Sequence, residues 1–293
     1  MKPGVTQYSN LIKTSSSQLY YFIRKLGYKE NERLQFVLVQ DAKRSTSSNS
    51  TSSNSNTSNN RHAILLQKPL KLMEKRVPEI KLFTKNNKPV HVLSQNARGY
   101  AVFMQINYGE KKDSKIKEIK AQFIDVDLNK ISACLNTREQ VKQKMISIRS
   151  NPVEQIESVT VKRNKQGQYQ LLALRTEQRV TQLKKEFLKK YWKHIRNAMI
   201  IETSNGYHIY WPVQGGSLSK FVPIQEALVK KFGSDPMITN LTRDMRIPGF
   251  YHMKNPRRPF LVRVIHWGRK TPFTQNELIN TMGLKSYIMQ GVS

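Results

Sequence analysis

Residues 45–60 read STSSNSTSSNSNTSNN, sixteen consecutive Ser, Thr or Asn side chains. Nothing in such a run can be buried, so it is a linker or an extended loop, and whatever folds must lie on either side of it. It divides the chain into a segment of residues 1–44, expected to contribute a helix and a strand, and a main domain of residues 61–293. In the first segment LYYFIRKLGY reads as a short helix and LQFVLVQ as a strand. Just after the tract, RHAILLQKPLKLMEKR fits helix and strand equally well.

Beyond residue 80 the apolar pattern is denser. KPVHVLSQNARGYAVFMQINYG suggests two strands with a turn at Asn96 to Gly99. IKAQFIDVDLN is a buried strand ending in acids, residues 135–150 are helical, and VTVKRNKQGQYQLLALRT is a hairpin centred on Lys165–Gly167. Residues 178–198 form a helix with Leu183, Phe187, Leu188, Tyr191, Trp192 and Ile195 on one face and Lys and Arg opposite. MIIETSNGYHIYWPV reads as strand, turn, strand, IQEALVKKFG as a helix closed by Gly233, and RPFLVRVIHW as a final strand. Helices and strands interleave without a regular βαβ repeat. The expected class is therefore α+β, or mixed α/β, with largely antiparallel sheet.

Fifty Lys and Arg against 20 Asp and Glu leave a net charge of +30 on 293 residues, which points to a polyanionic partner, nucleic acid first. The single cysteine, Cys134, excludes an internal disulfide, Cys-based zinc sites and iron–sulfur clusters, so no zinc site is expected. No apolar run approaches the ~18–20 residues of a membrane span. The N-terminal stretch MKPGVTQYSNLIKTSSS lacks an apolar signal core, so a cytoplasmic location is expected.

Three segments carry candidate chemistry. In Phe123-Ile124-Asp125-Val126-Asp127, alternate residues of a strand share a face about 6.5–7 Å apart. Two carboxylates there either bind a divalent ion through oxygen or mark a strand running into a solvated acidic turn. The scarcity of acids adds weight to the first reading, because like charges beside buried positions call for a compensating cation. In Glu202 to Trp211, Asn205-Gly206 is a hairpin dipeptide, and His208 on the departing strand is expected with Ser204 across from it. That His contacts phosphate, or simply sits on the wet face of an edge strand. In GSDPMITNLTRDMRIPGFYHMKNPRR, Asp235 is a third carboxylate, and Arg243, Arg246 and Lys254 gather around the Pro248-Gly249 turn. A basic surface loop would explain those charges but not the Pro-Gly placement.

Taken together and in order, FIDVD, TSNGYHIYW and GSDPMITNLTRDMRIPGFYHMK resemble the three motif regions of archaeo-eukaryotic-type primases, in the RepB-like primase–polymerase branch of plasmids, phages and other mobile elements. LSQNARGYAVFMQIN is similar to the segment that precedes the first motif, and the resemblance spans about residues 90–265. It implies a primase–polymerase catalytic core with an RRM-like antiparallel sheet and a second small α/β module. By position it makes Asp125, Asp127 and Asp235 the ligands of two divalent ions, Mg2+ or Mn2+. His208 and Arg246 would join them in catalysis, and Ser204, His208, Arg243, Arg246 and Lys254 would hold nucleotide phosphates. The chain departs from the pattern where it has Asn240 in place of a frequent second acid, and where Asp244 lies between Arg243 and Arg246.

The implied activity is that of a DNA primase, a template-directed nucleotidyltransferase making short primers on single-stranded DNA from nucleoside triphosphates by two-metal chemistry. The basic helix 182–198 and the strand Arg263–Arg269 would track the template, with Trp192, Trp211 or Trp267 offering base stacking, although core packing is the ordinary role of each. No GxxxxGK[ST] loop is present, so unwinding falls to a separate helicase. The principal alternative is a non-catalytic DNA-binding replication initiator. A rolling-circle nickase needs His-x-His, and His62, His91, His194, His208, His252 and His266 contain no such pair. A general RNA-binding module finds no RNP-type aromatic pattern.

Overall fold

A computed structural model describes residues 17–41, 61–65, 81–84, 86, 88–255 and 257–289. The chain order is α1 (17–25), β1 (Gln35–Gln40), β2 (Arg61–Leu65), β3 (Lys81–Phe83), β4 (Pro89–His91), α2 (Val92–Ala97), β5 (Tyr100–Gln105), β6 (Tyr108–Gly109), β7 (Ile116–Glu118), β8 (Ala121–Asp127), β9 (Lys130–Leu135) and α3 (Arg138–Arg149). It continues β10 (Ile156–Arg163), β11 (Tyr169–Arg175), α4 (Glu177–Ile195), β12 (Met199–Glu202), β13 (Gly206–Pro212), α5 (Leu218–Phe232), β14 (Asp244–Arg246), β15 (Tyr251–His252), β16 (Phe260–Leu261), β17 (Arg263–His266), α6 (Gln275–Met282) and α7 (Lys285–Met289). The class is mixed α/β with antiparallel sheets. The Ser/Thr/Asn tract, the sequence that follows β2 through residue 80, and the division of the chain at 45–60 fall outside the described residues.

Two four-stranded sheets, ordered β17-β12-β13-β8 and β14-β5-β1-β2, share one core. Leu19, Phe22 and Ile23 of α1 and Leu26 just after it enter that core beside Phe36 and Leu38 of β1, so the segment before the tract packs with the rest. A third sheet, β10-β11-β9, is covered by α3 and has its own small core of Val141, Ile148, Leu171 and Ala173. The hairpin in this module turns at Gly167 (φ 82°), as its sequence led us to expect. Helix α3 begins in a capping box, in which Thr137 Oγ1 accepts from Gln140 N–H at 3.2 Å and the Gln140 side chain reaches back.

The central strand pair is β8 with β13, in which every residue of β13 is buried. Phe123 and Tyr210 stand opposite each other on one face with Phe22 of α1 against Tyr210. On the other face Phe187 of α4 packs on Tyr207, and Phe232 of α5 on Trp211. Burial on both faces explains the nearly continuous apolar run in each strand.

Three expectations are corrected. Residues 92–97 are a helix between two strands rather than part of a strand, because Val92, Leu93 and Asn96 are buried at helical spacing before Gly99 (φ 94°) turns the chain. Trp192 is 45% exposed and leaves the packed face of α4, where Phe187, Leu188, Tyr191 and Ile195 do meet the core, and Arg179, Val180 and Lys184 are buried as well. Across the β12–β13 hairpin His208 pairs with Ile201, and not with Ser204, which lies in the turn closed by the Thr203 N–H to Gly206 C=O bond of 3.0 Å.

Gly206 is where this pairing is most constrained. A Cβ built there would lie 1.8 Å from the Val126 carbonyl oxygen. Gly206→Ala is therefore expected to push β13 away from β8 and to cost about 3 kcal/mol or more, as for other overpacked sites, read as a fall in the thermal unfolding midpoint.

Candidate active site

Asp125 and Asp127 share one face near the end of β8, and the β13 register sets His208 directly opposite Asp125. His208 Nε2 lies 3.6 Å from Asp125 Oδ1, and its Nδ1 lies 3.2 Å from the Arg246 carbonyl oxygen. A carbonyl only accepts, so the neutral ring carries its hydrogen on Nδ1 and turns a bare Nε2 toward a carboxylate. Two acceptors facing each other at this distance leave a place for a cation or a proton. Burial raises the Asp125 carboxyl above the ordinary carboxylate range, with Asp127 and Asp235 adding to the rise and His208 and Arg243 opposing it. Burial likewise lowers the His208 imidazole, against the pull of Asp125.

The neighbouring acids are compensated by protein cations. Asp127 accepts from Asn129 N–H at 3.0 Å and pairs with Lys130 Nζ at 3.2 Å. Burial works against the Lys130 ammonium, yet Asp127, Asp235 and Asp125 together hold its pKa above the ordinary value. Asp235 is tied to this group through its backbone, its N–H donating to the Asp125 carbonyl at 3.0 Å. Its own carboxylate caps the short turn Pro236–Ile238 by accepting from Met237 N–H at 2.9 Å. The donors are all hard oxygens, the type that Mg2+ and Mn2+ prefer. Among the described residues no group of three or more His, Cys, Asp or Glu is already set as a metal-holding cluster.

A cleft of about 290 Å³ opens over these groups. Asp125, Asp127, His208, Arg243, Arg246 and Lys254 line it, with Thr203 and Asn205 from the β12–β13 turn. Ser204 and Asp235 border this set without lining the cleft. The turn is held from below by Lys184 of α4, whose buried Nζ donates to the Thr203 carbonyl at 2.6 Å and pairs with Glu202 at 3.2 Å.

Two ionisable residues not singled out from the sequence, Asp41 and His252, also line the cleft, as do Phe103, Val126, Asp244 and Met245. Asp41 follows β1, and its N–H donates to the Gly99 carbonyl at 2.9 Å. Its Oδ2, itself without a well-aligned hydrogen bond, forms ion pairs with Arg246 Nη2 at 3.2 Å and with His252 Nε2 at 3.4 Å when that ring is protonated. The Arg246 guanidinium also lies 4.8 Å over the Phe103 ring. Arg246 Nη1, Arg243 Nε and His252 Nδ1 are buried without hydrogen-bond partners. His252 is positioned by Asn96, whose amide brackets Tyr251 by accepting from its N–H at 2.8 Å and donating to its carbonyl at 2.8 Å. One sequence signal for Asp41 was present, an acid placed at the end of an apolar strand as in FIDVD.

Burial and the adjacent Arg246 hold the His252 imidazole low, at about 4. In the unfolded chain it titrates near 6.5, so between those values the unfolded state binds more protons and stability falls with acidification. A pH series of thermal unfolding should show this loss between about pH 6.5 and 4, and His252→Gln should flatten it.

The model of the RepB DNA-primase N-terminal domain matches residues 136–285, just over half of the chain. That span takes in His208, Asp235, Arg243, Arg246 and Lys254 and begins after Asp125 and Asp127. No curated protein matches. Among solved structures, the AEP domain of the cyanophage S-2L primase–polymerase aligns over 91% of this chain and 97% of its own, at 11% identity and a TM-score of 0.45. Primase RepB′ aligns over 95% of this chain and 65% of its own, at 11% identity and a TM-score of 0.47. The RepB′ catalytic domain in complex with initiator DNA aligns over 96% and 97%, at 11% identity and a TM-score of 0.44. By its match to the family model, this chain belongs to the RepB DNA-primase family.

Proposed function

We propose that the chain synthesises short primers on single-stranded DNA by metal-dependent nucleotidyl transfer, in replication of a plasmid, phage or other mobile element. The observation that carries this reading is the β8–β13 register, with Asp125 and His208 face to face in a cleft also lined by Arg243, Arg246 and Lys254. Family membership supports the primase role.

Asp125 and Asp127, with Asp235 beside them, fit Mg2+ or Mn2+, and two such ions when bound would activate the primer 3′-hydroxyl and neutralise the leaving pyrophosphate. In the transfer, the 3′-oxygen bonds to the α-phosphorus of the incoming nucleoside triphosphate. The bond from that phosphorus to the bridging oxygen breaks, and pyrophosphate leaves while the hydroxyl proton passes to solvent. Arg243, Arg246 and Lys254 neutralise charge on the phosphate chain, and the unpartnered Arg246 Nη1 and Arg243 Nε are donors held ready for it. His208, bonded through Nδ1 to the Arg246 carbonyl, holds the backbone of that arginine and presents Nε2 to the reacting end. Asp41 aims Arg246 and keeps His252 beside it. Strand separation is assigned to a separate helicase.

Primer synthesis on single-stranded DNA, with labelled ribo- and deoxynucleotides and Mg2+ or Mn2+, tests the reading. Replacing both Asp125 and Asp127 by Ala should lower the rate by about 10³-fold or more, and chelation of divalent ions should abolish it. Full activity in that double variant, or DNA binding with no nucleotide incorporation by the unaltered chain, would overturn the proposal. A second experiment addresses Asp41. Asp41→Ala leaves a buried Arg246 without its carboxylate, which should lower stability by about 3 kcal/mol and raise the nucleotide KM roughly ten-fold with a smaller effect on kcat. Asp41→Glu should recover part of both.

A further inference from the structure

Five aromatic rings line the outer margin of the β17-β12-β13-β8 sheet, away from the cleft. Tyr20 and Tyr21 of α1 are 5.2 Å apart, and Tyr21 lies 6.1 Å from Trp267 at the end of β17. The preceding residue, His266, lies 5.2 Å from Trp192 of α4 with the two rings inclined at 60°. Tyr20 is half-buried against the main core, but the other large rings open to solvent. Tyr21 is 57% exposed, Trp192 45% and Trp267 37%, whereas Trp211 is fully buried. Strand β17 is the outermost of its sheet, and α1 runs along it, with Gln18 Oε1 accepting from Val264 N–H at 2.9 Å. Trp192 and Trp267 therefore straddle a sheet margin, with His266 between them.

The charge around these rings is one-sided. The stretches SQLYYFIRKLG, FLKKYWKHIRNA and RVIHWGRK, which carry all five rings, contain nine Lys or Arg and no Asp or Glu. Arg263 and Arg269 are paired with Glu202 and Glu277 from elsewhere in the chain. The remaining seven include Lys193 and Arg196 on the turns of α4 beside Trp192. Aromatic planes among uncompensated cations suit a ligand with flat apolar faces and a polyanionic backbone. A duplex keeps its bases stacked inside, whereas a single strand offers them to the rings.

We propose that Tyr21, Trp267 and Trp192, with the cations around them, form a stacking platform for the single-stranded template upstream or downstream of the copied base. The proposal rests on the primase reading for the word template, but its binding chemistry does not depend on catalysis. Its position is suited to that task. Arg263, at the start of β17, pairs with Glu202, which leads into the cleft-lining Thr203. Trp267 lies four residues farther along and three strands across from β8, which at ordinary sheet spacings is about 20 Å from Asp125. A short single strand bridges that distance along the sheet margin.

The test is the binding of a labelled oligothymidylate, and of a duplex of equal length, to the full chain by fluorescence anisotropy at several salt concentrations. The double substitution Trp192→Ala with Trp267→Ala should weaken single-strand binding by roughly ten-fold or more. It should leave the salt dependence unchanged, since no phosphate contact is removed. Trp192→Phe with Trp267→Phe should restore most of the affinity, which separates stacking from misfolding. Lys193→Gln with Arg196→Gln should instead flatten the salt dependence. Unchanged single-strand affinity in the alanine pair overturns the platform. So does equal weakening for the duplex, or a loss seen only on phosphatidylglycerol vesicles. A chain that binds through these tryptophans but makes no primer overturns the primase reading and leaves the platform standing. A chain that makes primers while its alanine pair binds as tightly overturns the platform alone.

Discussion

The antiparallel pairing of β8 with β13 is the constraint on which the cleft depends. Its register brings Asp125 to His208 and Asp127 to Gly206, so two strands distant in sequence deliver one reacting face. Gly206 makes the approach possible, because its missing side chain leaves room for the Val126 carbonyl. The pair is buried on both faces by α1, α4 and α5, and this packing fixes the register against slippage. His208 then extends the order outward, since its ring is bonded to the Arg246 backbone in the neighbouring sheet.

Charge in the cleft is arranged as a set of local exceptions to the chain's strong positive excess. Asp125, Asp127 and Asp235 act together on Lys130, and Asp41 stands between Arg246 and His252. The buried acids and cations are only partly satisfied by one another, as the bare Nε2 of His208 and the unpartnered nitrogens of Arg243 and Arg246 make plain. Unmet polar groups of this kind raise the free energy of the site, and under the proposed function a polyanionic nucleotide with its cations would relieve them. The same excess of basic residues is also spread over the sheet margin at α1, α4 and β17, apart from the few that enter the cleft.

The segment before the Ser/Thr/Asn tract is part of this arrangement. Helix α1 fills one side of the shared core, and β1 pairs with β5, which carries Phe103 beneath Arg246. Asp41 sits where β1 ends, at the mouth of the cleft. The Ser/Thr/Asn tract thus follows in sequence shortly after a residue that pairs with Arg246 in the cleft.

Much of the architecture was legible because it is local. Alternation along FIDVD, the Asn-Gly turn of TSNGYHIYW and the amphipathic pattern of α4 each follow from spacing over a few residues, and the first two mark Asp125, Asp127 and His208 as candidates. Where packing overruled local preference, the reading failed. Val92 to Ala97 became a helix because Asn96 is needed to bracket Tyr251, and Trp192 turned outward although its spacing suited the buried face. By itself the sequence determined which strands carry the acids and where the basic loop lies, since both are written in neighbouring residues. Only the tertiary structure decided that Asp41 meets Arg246 and His252 and that Lys130 answers three carboxylates. The Asp41 contacts and the reach of Asp235 to Lys130 join elements far apart in the chain, and contacts of that range leave no periodicity to read.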